Sequence, residues 1–236
     1  MTTVEGDSGR VALVTGAASG IGAAIAAALS DSGWTVTGLD LRESDTALPL
    51  IADVTDATAV RAAVARAQKT LGPVEALVSA AGYYEMRPIA EITSSQWRRM
   101  LRVHLGGLFN TTRAVLPGMI ARRKGSIVAI SSELAVGGGG EDAHYAAAKG
   151  AILGLVRSLA VEVAEHKIRV NSVAPGPTDT PLLSADSPWR TPEYLATLPA
   201  RRLARPDEIA RVVRFVLDEG TFLCGEILSV NSGAVI

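Results

Sequence analysis

The run Val11-Ala-Leu-Val-Thr-Gly-Ala-Ala-Ser-Gly-Ile-Gly22 limits what this chain can fold into more than any other stretch. Val11 to Val14 is a short apolar run, the pattern of a strand covered on both faces. Gly16, Gly20 and Gly22 follow at once, and Ile21 to Leu29 is rich in Ala, Ile and Leu, which suits a tightly packed helix. Strand, glycines and helix in that order set backbone N–H groups and a helix N-terminus against a phosphate. Glycine is needed wherever a Cβ would block the turn or the approach of a pyrophosphate. The spacing Gly-x-x-x-Gly-x-Gly differs from the general dinucleotide fingerprint. Taken alone it also fits a plain strand-to-helix turn, so the rest of the chain has to decide.

The remainder alternates strand and helix patterns without a break. Strands are expected at Thr35 to Leu39, Leu48 to Ala52, Val74 to Val78, Gly125 to Ile130, Arg169 to Ala174 and Glu226 to Val230. Helices are expected at Ala57 to Leu71, Ile92 to Arg122, Ala143 to Glu165 and Pro206 to Leu217. Leu134 to Asp142, which contains four consecutive glycines, reads as a loop, as does Pro175 to about Ala204. This order predicts an α/β fold: a doubly wound parallel sheet of about seven strands with helices on both faces, the Rossmann fold. Its continuity over 236 residues predicts one domain, 1–236. A net charge of −1 gives no electrostatic case for nucleic acid or an acidic membrane. No apolar run approaches the roughly 18 residues of a membrane span. Met1 to Arg10 is polar and unlike a signal peptide. Cys224 is the single cysteine, which fits a reducing, cytoplasmic setting.

Asp40 lies 20 residues after Gly20, at the end of the second expected strand. That is where a dinucleotide fold places a carboxylate to accept hydrogen bonds from the adenosine ribose, and a carboxylate there repels a 2′-phosphate. Arg42, two residues on, works against that preference. Tyr145-Ala-Ala-Ala-Lys149 puts two side chains on one helix face with Cβ atoms about 5–6 Å apart. A tyrosine with a reference pKa of about 10 is a poor base. A nearby ammonium and a positive nicotinamide ring would favour its phenolate, which can then take an alcohol proton. Ser132 precedes Tyr145 by 13 residues and could hold the substrate oxygen.

Thr15-Gly-Ala-Ala-Ser-Gly-Ile-Gly22, Ser132, Tyr145-x-x-x-Lys149 and Pro175-Gly176 together resemble the short-chain dehydrogenase/reductase family, from Val11 to Gly233. The resemblance implies an oxidoreductase that uses NAD, without a metal, to interconvert a secondary alcohol and a ketone. It implies a cofactor site built from Gly16, Ser19, Gly20, Ile21, Gly22, Asp40, Leu41, Asp53, Val54, Ala80, Ala81, Gly82, Pro175, Gly176, Thr178 and Thr180. Tyr145 and Lys149 belong to that site as well, with Lys149 on the ribose hydroxyls, Thr180 at the nicotinamide end and Asp53 at the adenine. The sequence departs from the family in two places. Ser79-Ala-Ala-Gly82 lacks the usual asparagines, one of which ties neighbouring strands, and His104 stands where the family has Asn. In the family that Asn acts in a proton relay through its backbone carbonyl at a helix break, and Gly106-Gly107 fits such a break. The imidazole joining the relay, or an impaired relay, are the alternatives.

Substrate candidates are Tyr83, Tyr84, Glu133, Leu134, His144, Leu182, Leu183, Trp189 and Tyr194, each also readable as loop packing, and His144 first as a surface or loop residue. Two other functions compete. One is an NADPH-dependent 3-oxoacyl thioester reductase, with Arg98, Arg99, Arg102, Arg122 and Arg123 as its carrier-protein surface. The other is a non-catalytic NAD-binding sensor or scaffold. The family pairs the two long helices between subunits. Ala151, Leu155, Leu159 and Val163 form an apolar stripe at spacings of four. A homotetramer is expected, with a dimer as second choice.

Overall fold

Strand β1 (Val11–Thr15) is buried along its whole length, and its side chains divide between two separate cores. Val11 and Leu13 join one cluster and Ala12 and Val14 the other, the alternation that a pleated strand imposes. The computed structural model describes residues 9–235, so most of the polar N-terminal segment lies outside the described residues. Six further strands complete the sheet: β2 (Thr35–Asp40), β3 (Leu48–Ile51), β4 (Val74–Ser79), β5 (Gly125–Ile130), β6 (Ile168–Pro175) and β7 (Ile227–Val230). Their order is β3-β2-β1-β4-β5-β6-β7, and all neighbours pair in parallel. The sequence direction reverses between β1 and β4, the switch point beyond which ligands bind in such sheets.

Helices cover both faces. On one face lie α1 (Gly20–Asp31) and α8 (Pro206–Asp218), through Ile25, Leu29, Ile209, Val213 and Val216. On the other lie α2 (Ala57–Leu71), α4 (Gly107–Arg122) and α6 (Ala143–Val163), through Val60, Val64, Leu108, Val115, Ile152 and Val156. Asp56 caps α2 by accepting from the N–H groups of Thr58 and Ala59, while Asp53 accepts from Thr55 N–H in the preceding turn. Among the described residues three short α-helices remain: α3 (Ser94–Leu101), α5 (Leu134–Gly137) and α7 (Pro192–Thr197). Among the described residues no helix is long and apolar enough to cross a membrane.

Three expectations need correction. Ile92 to Arg122 is not one helix. A capping box of Thr93 and Gln96 starts α3, a π-helical turn occupies Arg102–Gly106, and α4 follows, with Pro117 inside it. The glycine-rich loop begins with a helical turn, α5. The apolar stripe on α6 is no unpartnered face either: Leu159 and Val163 belong to the main core and Leu155 packs against it.

Candidate active site

The C-terminal ends of the strands open into two adjoining clefts. One, of about 340 Å³, has the glycine turn on one wall and Ser132, Tyr145 and Lys149 on another. The second, of about 610 Å³, is bordered by Asp40, Leu41, Asp53, Val54, Ala81 and Gly82. Gly16 lines both. Every cofactor-binding residue expected from the sequence lines one cleft or the other.

The turn fits a pyrophosphate. Gly16 has φ +71°, and a Cβ on it would come within 2.9 Å of the Ala81 Cα. A Cβ on Gly22 would collide with the Gly16 carbonyl, 2.6 Å from its carbon. Ser19, the N-cap of α1, makes no side-chain cap bond, so the first-turn N–H groups are left for a ligand. Thr15, a residue the sequence reading passed over, ties β1 to the turn after β4. Its hydroxyl oxygen accepts from the N–H groups of Ala80 and Ala81, both at 3.0 Å. Asp40 accepts from Ala18 N–H through Oδ2 and from Arg42 N–H through Oδ1, each at 3.1 Å. The Arg42 guanidinium donates to Ser19 Oγ at 3.2 Å.

Two serines end β5, and their partners separate their roles. Ser131 Oγ donates to Val173 O and accepts from Ser172 Oγ, tying two strands together. Ser132 faces the cleft, where its Oγ donates to Glu133 Oε2 at 3.0 Å and accepts from Leu134 N–H at 3.2 Å. Tyr145 and Lys149 stand on one face of α6 near its start. Lys149 Nζ donates to Ile130 O at 2.8 Å and sits 5.7 Å from the Tyr145 ring centroid. Burial lowers the Lys149 pKa to about 7. Burial pushes the Tyr145 phenol up, with the Glu133 and Asp142 charges adding to the rise and a hydrogen bond with Ser132 opposing it. The lowering expected from Lys149 does not appear: desolvation and two carboxylates set the direction. Tyr84 and His104 meet the Tyr145 ring edge-on, at centroid distances of 5.0 and 5.5 Å, and hold its plane.

His104 lies within the π turn. Its Nε2 donates to Tyr83 O at 2.8 Å, and Nδ1 is buried without a partner. Burial, with the Lys149 charge, pushes its pKa well below the ordinary histidine range. A Cβ on Gly82 would collide with its ring, so the imidazole occupies space that only a glycine leaves.

The substrate candidates divide. Tyr84, Glu133, Leu134, Leu182, Leu183 and Trp189 line the first cleft. Tyr83 does not; it lines the second, with its ring under the Arg99 guanidinium. Tyr194 supports Trp189 edge-on at 4.7 Å. His144 is neither a surface nor a loop residue. It is fully buried in the first turn of α6, and both ring nitrogens lack partners. Asp142 was missed by the sequence reading: it is fully buried, and its Oδ1 accepts from Tyr84 OH at 2.7 Å. Tyr84 OH in turn accepts from Trp189 Nε1 at 3.0 Å, which links the loop after β6 to the start of α6. The one signal was an Asp just before a helix, and that signal points to a cap Asp142 does not form.

Comparison with known proteins agrees with this geometry. The family model described as short chain dehydrogenase matches residues 10–191. A cis-4-hydroxycyclohexanecarboxylate dehydrogenase of Sinomonas cyclohexanicum is 39% identical, covering 95% of this chain and 96% of that protein. A 3-oxoacyl-[acyl-carrier-protein] reductase of Thermotoga maritima is 33% identical over 97% of this chain and 98% of its own length. The ligand-free structure of Thermoplasma acidophilum aldohexose dehydrogenase superposes with a TM-score of 0.89 at 32% identity, covering 95% of this chain and 93% of that one. With a parallel seven-stranded sheet, a glycine turn at its switch point and Ser132, Tyr145 and Lys149 on one cleft, the chain belongs to the short-chain dehydrogenase/reductase family and is an oxidoreductase of that family.

Proposed function

We propose that this enzyme interconverts a secondary alcohol and a ketone with NAD(H), one domain of residues 1–236 carrying both the cofactor and the substrate. The observation that carries the reading is the convergence of Ser132, Tyr145 and Lys149 on a cleft walled by the glycine turn. Nicotinamide, when bound, supplies the hydride acceptor. Ser132 Oγ holds the substrate oxygen by turning its one proton from Glu133 toward it. Tyr145 accepts the alcohol proton in oxidation and returns it in reduction. Lys149, anchored by the Ile130 carbonyl, favours the phenolate when charged and has donors left for the ribose hydroxyls. A turnover assay over cyclic, aromatic and aliphatic secondary alcohols tests the reading. A nucleotide sensor would bind NAD and oxidise none of them, whereas a thioester reductase would favour NADPH and a 3-oxoacyl thioester. Arg98, Arg99 and Arg102 border the second cleft, whereas Arg122 donates to Val74 O.

NAD preference rests on Asp40. A carboxylate has about four lone-pair sites, and two are taken by backbone N–H groups. The remaining acceptors suit the two hydroxyls of an adenosine ribose and oppose a 2′-phosphate. Asp40→Ala is expected to weaken NAD(H) binding and improve NADP(H) binding, read by titration of both. An unmutated enzyme that prefers NADPH would overturn the assignment.

For His104 we favour the backbone role. In the π turn its carbonyl oxygen accepts from Gly107 N–H, which is shared with Val103 O, and a carbonyl has two lone pairs with which to hold a water. The buried imidazole is neutral through the working range. His104→Asn should therefore leave kcat and its pH profile nearly unchanged. A large loss, or disappearance of a titration near neutral pH, would assign the relay to the ring.

The assembly we propose is a homotetramer, supported by exposed apolar residues on the two helices, Phe109 on α4 and Val161 on α6. Light scattering at micromolar concentration should return four times the chain mass, and a monomer would refute it. The cytoplasm is the compartment we favour, since Cys224 is free and exposed.

A further inference from the structure

Glu133 is the one acidic side chain on the wall of the catalytic cleft, and the reaction above does not use it. It is 8% exposed. Its backbone N–H donates to Pro175 O at 3.0 Å, which fixes the stem of the side chain between the ends of β5 and β6. Its Oε2 accepts from Ser132 Oγ at 3.0 Å, and among the described residues no lysine or arginine pairs with it. Burial raises its pKa to about 7, outweighing the Ser132 hydroxyl and the backbone N–H groups of Glu133 and Leu134, which favour the charged carboxyl, so a further donor would offset a real cost. A ligand that reaches this wall can supply one.

Distance favours one place on the ligand for that donor. The substrate oxygen and Glu133 Oε2 are each one hydrogen bond from the same Ser132 oxygen. A second donor on the carbon next to the reacting one is the shortest bridge from the substrate oxygen to the carboxyl. We infer, resting on the assignment of Ser132 above, that Glu133 receives a hydroxyl or ammonium group on that neighbouring carbon, so that the substrates are vicinal diols, α-hydroxyketones or the matching amino alcohols. A plain alkyl chain or a 3-oxoacyl thioester brings only C–H to this position and leaves the carboxyl desolvated. A substrate carboxylate there meets like charge.

The test compares cyclohexanol, cis- and trans-1,2-cyclohexanediol and 2-aminocyclohexanol as substrates for the wild-type enzyme, Glu133→Gln and Glu133→Leu. In the wild type, kcat/KM for the better diol or the amino alcohol should exceed that for cyclohexanol by about tenfold or more, the size of one hydrogen bond to a charged group. In Glu133→Leu that ratio should fall toward one. In Glu133→Gln the amide oxygen still accepts from a hydroxyl, so a reduced diol preference should remain while any ammonium preference disappears. Whichever of the diol and the amino alcohol is better in the wild type identifies the donor, and either result supports the inference. Cyclohexanol matching or beating both would overturn it, as would a ratio unchanged in Glu133→Leu or, should that variant not fold, in Glu133→Gln. Binding of the same compounds to the cofactor-loaded enzyme, followed by tryptophan fluorescence, separates this inference from the redox assignment. Glu133-dependent diol binding without oxidation would retire the reaction and keep the site, and absence of diol and amino-alcohol binding would overturn the site itself.

Discussion

Tyr145→Phe is expected to lower kcat by about 10²–10⁴-fold, the range of a positioned acid or base, while cofactor binding is largely kept. The ring stays, so its edge-on contacts with Tyr84 and His104 stay with it. What goes is the oxygen to which the proposed mechanism assigns the proton exchange with substrate. A hundredfold loss corresponds to about 2.7 kcal/mol on the barrier. The pH profile of the wild type carries a second expectation. Burial and the charges of Glu133 and Asp142 hold the phenol above its ordinary range. Oxidation needs the deprotonated form, so alcohol oxidation should rise with pH, and the binary complex with oxidised cofactor should titrate at lower pH than the free enzyme, because a positive ring beside the phenol reverses the balance. A Phe variant with wild-type turnover would remove Tyr145 from the reaction.

Gly22→Ala should be nearly as damaging, through a different step. The added methyl would be driven into the Gly16 carbonyl, and both atoms belong to backbone, so no side chain can move aside. Overpacking of this kind costs about 1–3 kcal/mol. At about 2–4 °C per kcal/mol for a chain of this size, Tm should fall by about 2–12 °C. The turn must open to relieve the clash, and its N–H groups then no longer converge on one phosphate. Cofactor Kd should rise by about 10–10²-fold, taking about 1.4 kcal/mol per decade, with kcat at saturating cofactor less affected. Isothermal titration and a melting curve read the two effects. Unchanged affinity would mean that the pyrophosphate does not use this turn.

Much of the fold was legible because its inner strands are buried on both faces, which writes them into the sequence as short apolar runs between helices. The glycine turn, Asp40, Ser132, Tyr145 and Lys149 were legible for a similar reason: each is tied to a strand end or a helix start by a fixed local spacing. What stayed hidden depends on rotation and on distant partners. The burial of His144 follows from how α6 turns against its neighbours. The bond from Tyr84 to Asp142 spans 58 positions, and the one from Trp189 to Tyr84 spans 105. The stripe on α6 has the correct period for a helix face, but period alone does not say whether a sheet or another subunit covers that face. Thr15 was overlooked because a threonine at a strand end looks like ordinary β propensity, whereas its hydroxyl joins β1 to the turn after β4.

The π turn at Arg102–Gly106 amounts to one residue more than a continuous α-helix would contain between α3 and α4. Deleting a single residue there would let the hydrogen-bond ladder run through unbroken, with a gain in regularity. Five residues of a π turn sweep about the same angle as four of an α-helix, so α3 and α4 would keep their relative phase. Met100 on α3 and Leu108, Thr111 and Val115 on α4, all buried, would still face inward together. In length variants of this segment the shorter helix should keep its core and lose the placement of His104 against Tyr83 and Tyr145, so the surplus residue serves the cleft and not the packing.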